Sequence, residues 1–118
     1  MIPFAHETLT LLHKSGNGYA RYTLENCSWR HLKYRRMNGK AVEYSEETVC
    51  RIPASQQKPA PGDLLIHGAM RIDAANEIEL VRIMEQLRES GQAVFRVQRV
   101  KDNSTPGFPL PHYAATGE

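Results

Sequence analysis

The sequence predicts a mainly β fold of the α+β class: a small β-barrel or sandwich of about six strands, with one helix and an extended C-terminal arm. Three observations lead to this prediction. Short runs of alternating apolar and polar residues are separated by Gly- and Asn-rich turns, one later stretch has a helical period, and the last sixteen residues hold three prolines. A doubly wound sheet would need several helices, and 118 residues are enough for one core.

The first four predicted strands form two hairpins. "ETLTLLHK" alternates in the manner of a strand covered on one face, "SGNG" supplies the positive φ angles of a tight turn, and "YARYTLE" returns. After Asn26, "CSWRHLKYRRM" and "KAVEYSEETVCRIP" flank the turn signal Asn38-Gly39. Pro53 ends the fourth strand because proline cannot donate to a ladder.

The remaining elements are a loop, a strand, a helix and a strand. "ASQQKPAPG" is a surface loop, and "DLLIHG" is a strand buried on both faces. A helix is predicted at about 76–90, capped by Asn76 and stopped by Gly91, with Ile78 and Leu87 on its apolar face. "QAVFRVQRV" is the last predicted strand. We therefore place a barrel or sandwich domain at 1–101 and the arm at 102–118.

The arm is predicted to be stiff and to press on another surface. Its prolines fix their own φ angles and push the preceding residues toward extended backbone. We expect its side chains to contact a neighbouring subunit, and the alternative is that the arm folds back on its own barrel. The predicted anchors are Phe108, Leu110, His112 and Tyr113.

Composition argues against several classes of protein. The formal net charge of +2 does not by itself indicate a polyanion partner, and the N-terminus lacks the features of a signal peptide. Cys27 and Cys50 are expected to be buried free thiols. The five histidines show no metal-ligand spacing, and no nucleophile–base motif is found, so we predict no metal, no cofactor and no enzymatic activity.

One local charge cluster stands out around the Asn38-Gly39 turn. Its aromatic neighbours include Trp29, the sole tryptophan, which is expected to be largely buried against the helix or the opposite sheet. A basic hairpin of this kind binds an acidic protein surface or nucleic acid, or is simply a solvated edge protected by its charge. We predict a partner interface at Arg30, Lys33, Arg35, Arg36 and Lys40.

The order of several motifs resembles small structural proteins of tailed phages and prophages of Gram-positive bacteria. These motifs are "LENCSWR", "NGK", "CRIP", "GDLLIHG", the helix and the ending "DNSTPGFPLPHYAATG". The layout is similar to that of head-closure or head–tail connector proteins of the neck, over roughly Thr8 to Gly117. The loop "ASQQKPAPGD" is shorter than this resemblance leads us to expect.

The resemblance implies a virion protein of the neck, made in the bacterial cytoplasm, that forms a ring of about six or twelve copies. Its implied partners are further copies of itself and portal or tail proteins, and packaged DNA would pass through the ring without sequence-specific binding. A tail terminator or a minor capsid protein is an alternative within the virion. From a different class, the alternative is a small nucleic-acid-binding β-barrel that uses the basic hairpin at 30–40.

Overall fold

A computed structural model describes residues 6–39, 41–103 and 111–117. Within them the elements are β1 (Glu7–Ser15), β2 (Gly18–Asn38), β3 (Ala41–Pro53), β4 (Leu64–His67), α1 (Glu77–Glu89), β5 (Val94–Asn103) and β6 (His112–Gly117). The strands pair throughout in antiparallel fashion and close into a barrel in the order β1-β2-β3-β6-β5-β4. The predicted fold class, a small β-barrel with one helix, is confirmed.

The two strands predicted on either side of Asn26 are one continuous strand, β2. Asn26 adopts a φ of 56°, and the register between β1 and β2 shifts between Glu7 and Leu9. The part of β2 before this irregularity pairs with β1, and the part from Ser28 onward pairs with β3. A bulge of this kind bends a strand without ending it, so Asn26 marks a corner of the barrel and not a turn.

The C-terminal residues close the barrel, which corrects the predicted arm. Residues 112–117 form β6, which pairs with β3 on one side and β5 on the other. Residues 102 and 103 belong to β5, so the predicted domain boundary between 101 and 102 is wrong. The three prolines suggested an arm, but all of them precede β6, and every residue from His112 to Gly117 can donate to a ladder.

The barrel has two apolar cores, one inside it and one between its outer face and the helix. Successive residues of β1 point alternately into these cores, with Leu11 inside and Leu12 outside, and Leu65 and Leu64 of β4 do the same. The prediction that β4 is buried on both faces is confirmed. β1, predicted to be covered on one face, is also buried on both faces from Leu9 to Leu12, because α1 covers its second face.

The helix begins and ends close to the predicted positions. Asn76 caps it by accepting a hydrogen bond from the backbone N–H of Glu79 at 2.9 Å. Leu80 and Leu87 are buried against the barrel, but Ile78 is 80% exposed and does not belong to the packed face. Among the described residues, no helix combines the length and apolar character needed to cross a membrane.

The loop between β3 and β4 is held by a buried carboxylate. Asp63 accepts hydrogen bonds from the backbone N–H groups of Lys14 (3.1 Å) and Ala60 (2.8 Å), and His13 Nδ1 lies 2.5 Å from its carboxylate. The predicted surface loop is thus tied to the end of β1 by a side chain that has no exposed area.

Cys27 and Cys50 are free and buried in the barrel interior, as predicted. Burial raises the pKa of the Cys27 thiol to about 12, and burial followed by the proximity of Cys27 raises that of Cys50. Both residues therefore act as small apolar core residues rather than reactive thiols.

Candidate functional site

A two-stranded segment extends beyond the barrel and is the most prominent surface feature. β6 pairs with β3 only from Thr48 onward, and β1 pairs with β2 only as far as Cys27. Among the residues that the structure describes, 32–38 and 41–47 therefore pair only with each other. We call this segment the free hairpin; seven residues at about 3.3 Å each make it roughly 23 Å long.

The predicted basic residues lie on the free hairpin or at its base. Arg30 and Arg35 are exposed on β2, and Lys33 is exposed beside an acidic neighbour. Arg36 occupies a strand position opposite Glu43 in the register, and Lys40 lies outside the described residues.

The facing strand reduces the positive charge of this segment. Lys33 Nζ lies 3.6 Å from Glu46, and His31 Nε2 lies 3.7 Å from the same carboxylate. Glu47 pairs with Arg99 of β5 at 3.0 Å. Counting outward from the Asn38-Gly39 turn places these glutamates on the strand opposite the basic residues, so the signal for this neutralisation is present in the sequence.

The end of the free hairpin exposes apolar side chains. Met37 and Val42 lie directly opposite each other in the register, and they are 66% and 39% exposed. Directly opposite residues of an antiparallel pair are on the same face, so the two side chains form one small apolar tip. We refer to this pair as the hairpin tip.

A groove of about 740 Å³ lies at the base of the free hairpin. One part of its lining comes from Trp29, His31 and Thr48, and another comes from Met84 and Arg88 near the end of α1. The remaining lining residues are Gly91, Gln92, Ala93, Val94, Arg96 and Gln98. Sequence reasoning missed this groove because its residues come from distant segments that only the closed barrel brings together.

Trp29 connects the groove to the barrel interior. Its ring stacks on His67 with a centroid distance of 5.1 Å and meets the edge of Phe95 at 5.2 Å. The ring is half-buried, so the prediction that it is largely buried against the helix or the opposite sheet is only partly right. His31 Nδ1 lies 3.2 Å from Thr48 Oγ1, which links the two strands at the hairpin base.

Of the four predicted arm anchors, two lie in the described part of the chain. Phe108 and Leu110 lie outside the described residues. His112 contacts Asn103 at 3.2 Å, and the Tyr113 hydroxyl donates to the carbonyl oxygen of Ala54 at 3.4 Å. Both edges of β6 are occupied by the same chain, so strand addition to a neighbouring subunit is wrong for residues 112–117.

A three-residue cluster ties the barrel to the start of the helix. Glu77 accepts a hydrogen bond from the Tyr19 hydroxyl at 2.5 Å and lies 2.5 Å from Arg96. These hydrogen bonds, Tyr19 first and Arg96 second, lower the pKa of Glu77, while burial and then Glu77 raise the pKa of Tyr19. The cluster is an ion pair to which a tyrosine hydroxyl also donates, and it holds the start of the helix against the barrel.

In the part of the chain that the structure describes, no group of three or more His, Cys, Asp or Glu is placed to hold a metal ion.

Fold and surface together define a small closed β-barrel protein with a projecting hairpin and a groove at the hairpin base. The chain belongs to the Family of unknown function (DUF6751), whose model matches residues 4–118. Comparison with curated proteins and with solved structures gave no match.

Proposed function

We propose that the protein is a structural protein of a tailed-phage or prophage neck, where it forms a ring that connects or closes the head–tail channel. The free hairpin is the observation that carries this proposal. An isolated two-stranded hairpin is only marginally stable in water, so one that projects about 23 Å from a closed barrel is expected to be stabilised by a partner. Because the order of the motifs resembles that of neck proteins, we propose that this partner is a portal protein, a tail protein or another copy of the chain.

Ring assembly fits the distribution of surfaces. Within the described part of the chain, the free hairpin has an unpaired edge along each of its two strands. A heterologous contact repeated around an axis closes into a ring, and a projecting element is a simple way to reach the next copy. Over residues 30–47, which include the base and the turn, five basic residues stand against three acidic ones, Glu43, Glu46 and Glu47, which favours an acidic portal or tail surface over a basic one.

The direct test is assembly with the portal protein encoded in the same genome. We expect the wild-type chain to co-sediment with portal rings and to appear in negative-stain images as a second ring on them. Replacing both Arg30 and Arg35 by Glu should abolish this association while leaving the circular dichroism spectrum unchanged, because exposed charges act on association more than on stability. Arg71→Glu with Arg82→Glu is the matched control, because both residues are exposed and lie neither on the free hairpin nor on the strands at its base.

Two results would overturn the proposal. One is a chain that stays monomeric and does not bind portal, tail or capsid proteins of its own phage. The other is a gene neighbourhood that encodes none of these proteins. Association with the tail tube or the capsid instead of the portal would support the alternatives of tail terminator or minor capsid protein.

A second candidate function is nucleic-acid binding, which is favoured by the exposed Arg30 and Arg35 on a projecting β-ribbon. A two-stranded ribbon fits the major groove, and arginines contact phosphates and base edges. A nucleic-acid binder should lose affinity for DNA steeply between about 50 and 200 mM salt. The pairing of Lys33 and His31 with Glu46 argues for the protein partner, and weak DNA binding at all salt concentrations would support it.

A further inference from the structure

We infer that the free hairpins of neighbouring copies pair edge to edge, with β2 of one copy beside β3 of the next. This inference rests on the proposed ring, for which it names the two surfaces in contact. Repeated around the ring, the contact joins the free hairpins of all copies into one continuous antiparallel sheet. The partner of each open edge is therefore a second copy of this chain.

The free hairpin has two edges whose backbone groups are available for pairing. Among the described residues, β2 pairs with β1 only as far as Cys27, and β3 pairs with β6 only from Thr48 onward, so neither outer edge of the hairpin meets another strand. Each edge is about seven residues long, against a typical strand length of about five to six residues. An exposed edge of this length is a template for a further strand.

The register shows which residues direct their backbone groups outward. Asn38 and Ala41 are register partners three residues apart, which is the spacing of the two ends of a hydrogen-bonded β-turn. Hydrogen-bonded and non-hydrogen-bonded pairs alternate in an antiparallel ladder, so Met37 with Val42 is a non-hydrogen-bonded pair. The backbone N–H and C=O groups of residues 33, 35 and 37 on β2, and of 42, 44 and 46 on β3, therefore point to the outer edges.

The two edges carry opposite charge. Residues 32–38 of β2 contain basic residues and no acidic one, and residues 41–47 of β3 contain acidic residues and no basic one. The basic residues are Lys33, Arg35 and Arg36, and the acidic residues are Glu43, Glu46 and Glu47. Although Lys33 Nζ lies 3.6 Å from Glu46, the two side chains stay 75% and 59% exposed, so both are accessible to a further strand.

Charge decides which edge pairings can form. Two β2 edges would bring basic residues opposite basic residues, and two β3 edges would bring acidic residues opposite acidic residues. Like charges directly opposite each other destabilise a sheet, whereas opposite charges stabilise it. Charged edges commonly protect a protein against strand addition, but here that protection acts only between edges of the same sign. The segregation of charge therefore blocks both symmetric pairings and favours β2 against β3.

This pairing is compatible with rotation about a single axis. Hairpins related by a rotation about an axis along their length point in the same direction, so β2 of one copy runs antiparallel to β3 of the next. With the turns level, the register within one hairpin is repeated between copies, which places Lys33 opposite Glu46 of the next copy. The outward-pointing backbone groups of the two edges then face each other as hydrogen-bonded pairs.

The sheet also explains how the projecting segment is stabilised. An isolated two-stranded hairpin is only marginally stable in water, and three or more strands are needed for independent stability. A neighbour on each edge gives every free hairpin this number of strands. Because the two edges in contact are different surfaces, the contact is heterologous, and its repetition generates a ring or an open filament.

Exchange of charge between the two strands tests the contact. The acidic variant is Lys33→Glu with Arg36→Glu, and the basic variant is Glu43→Lys with Glu46→Lys, at register positions opposite the first two. In each full-length variant alone, both edges have the same sign of net charge. Self-association measured by sedimentation velocity at high concentration should therefore be weakened by about tenfold or more relative to wild type.

An equimolar mixture of the two variants should recover the self-association of the wild type. In alternating copies, each acidic edge then faces a basic one. This recovery does not depend on the folding of either hairpin, because each chain carries the same substitutions alone and in the mixture. Arg71→Glu with Arg82→Glu is the control: it changes the net charge as much as the acidic variant does, at exposed positions outside the free hairpin, and it should leave self-association unchanged.

Disulfide formation tests the register between copies. Directly opposite residues of a hydrogen-bonded pair have Cα atoms about 5.5 Å apart, which is within the range for a disulfide. A mixture of the single variants Met37→Cys and Val42→Cys, oxidised at high concentration, should form a mixed disulfide dimer, and neither variant should form one alone. The native Cys27 and Cys50 are buried in the barrel interior.

Each result distinguishes the edge pairing from the proposed function. Oligomers that the acidic and basic variants do not weaken, or that their mixture does not recover, would overturn the edge pairing and leave the ring. A disulfide dimer of Met37→Cys alone would overturn it too, because it reports two β2 edges in contact. Recovery in a chain that ignores portal, tail and capsid proteins would support the edge pairing and remove the neck role. A wild-type chain that stays monomeric at high concentration overturns the edge pairing.

Discussion

The two parts of β2 show how differently one strand can be stabilised. Before the bulge at Asn26, β2 pairs with β1, and its Leu24 side chain is buried in the interior core. From residue 32 onward it pairs only with β3 among the described residues, and its last described apolar side chain, Met37, is mostly exposed. The first part contributes to folding, and the second part presents a surface.

This comparison assigns different consequences to substitutions in the two regions. In the barrel, residues are held by strand pairing and by packing in two cores. A lost contact or an added atom there changes the free energy of unfolding. In the free hairpin the same kind of change should leave the free energy of unfolding almost unaltered.

The largest loss of stability is expected from Phe95→Ala. Phe95 is buried in the interior core and contacts the edge of the Trp29 ring, so its removal leaves a cavity that the closed barrel cannot fill. We expect a loss of about 3–5 kcal/mol in the free energy of unfolding, measured by urea denaturation. Ile78→Ala should change it by less than about 0.5 kcal/mol. Equal midpoints for both variants would contradict the interior core.

The closing strand can be tested with an added methyl group. A Cβ at Gly117 would overlap the carbonyl oxygen of Arg96 and the ring of Phe95, both on the neighbouring strand β5. We expect Gly117→Ala to cost about 1–3 kcal/mol or more, because backbone atoms must move apart.

The matched control for this methyl group is Gly16→Ala in the β1–β2 turn. Gly16 has a φ of 61° and open space around it, so the added methyl meets only backbone strain. We expect the control to cost about 1 kcal/mol. A larger loss for Gly16→Ala than for Gly117→Ala would mean that β6 does not close the barrel.

Local signals predicted most of the fold, and long-range pairing explains what they missed. The helix followed from Asn76 and its 3.6-residue period, and the turn followed from Asn38-Gly39. β6 was missed because the prolines before it dominate the local pattern, whereas its place between β3 and β5 depends on partners about sixty and fifteen residues away. The continuity of β2 was missed because Asn26 is as suitable for a turn as for a bulge.

The candidate site shows the same limit more strongly. The basic residues of the free hairpin are visible in one stretch of sequence, and their glutamate neighbours follow once the turn is known. The groove requires Trp29, Met84 and Ala93 to meet, and no local pattern records this. A basic strand was therefore predictable from the sequence, but the groove at the base of the free hairpin was not.

A smaller effect is expected from the ion pair that ties the helix to the barrel. Because the pKa of Glu77 is lowered in the folded state, its contribution to stability is present above the ordinary glutamate pKa, and it is lost as pH falls through the lowered value. Glu77→Gln should therefore lower the free energy of unfolding near pH 7 and flatten its decline between about pH 5 and 3, so that wild type and variant differ least in acid.

The size of this effect is limited by solvent. The side chain of Glu77 is half-exposed, so we expect less than about 1 kcal/mol from the pair. Glu85→Gln, at an exposed position further along α1, is the control in an acid titration followed by circular dichroism. Identical acid profiles for wild type and Glu77→Gln would show that the pair contributes nothing.

The smallest effect on stability is expected at the hairpin tip, where one substitution type can be compared in the two parts of a single strand. Met37→Ala removes a side chain that has lost little of its contact with water, so the free energy of unfolding should change by less than about 0.5 kcal/mol. Leu24→Ala removes a buried side chain of similar size from the same strand and should cost about 2–5 kcal/mol. Urea denaturation of both variants at low concentration measures these values for the single chain. A loss for Met37→Ala as large as that for Leu24→Ala would show that the Met37 side chain is buried within the single chain.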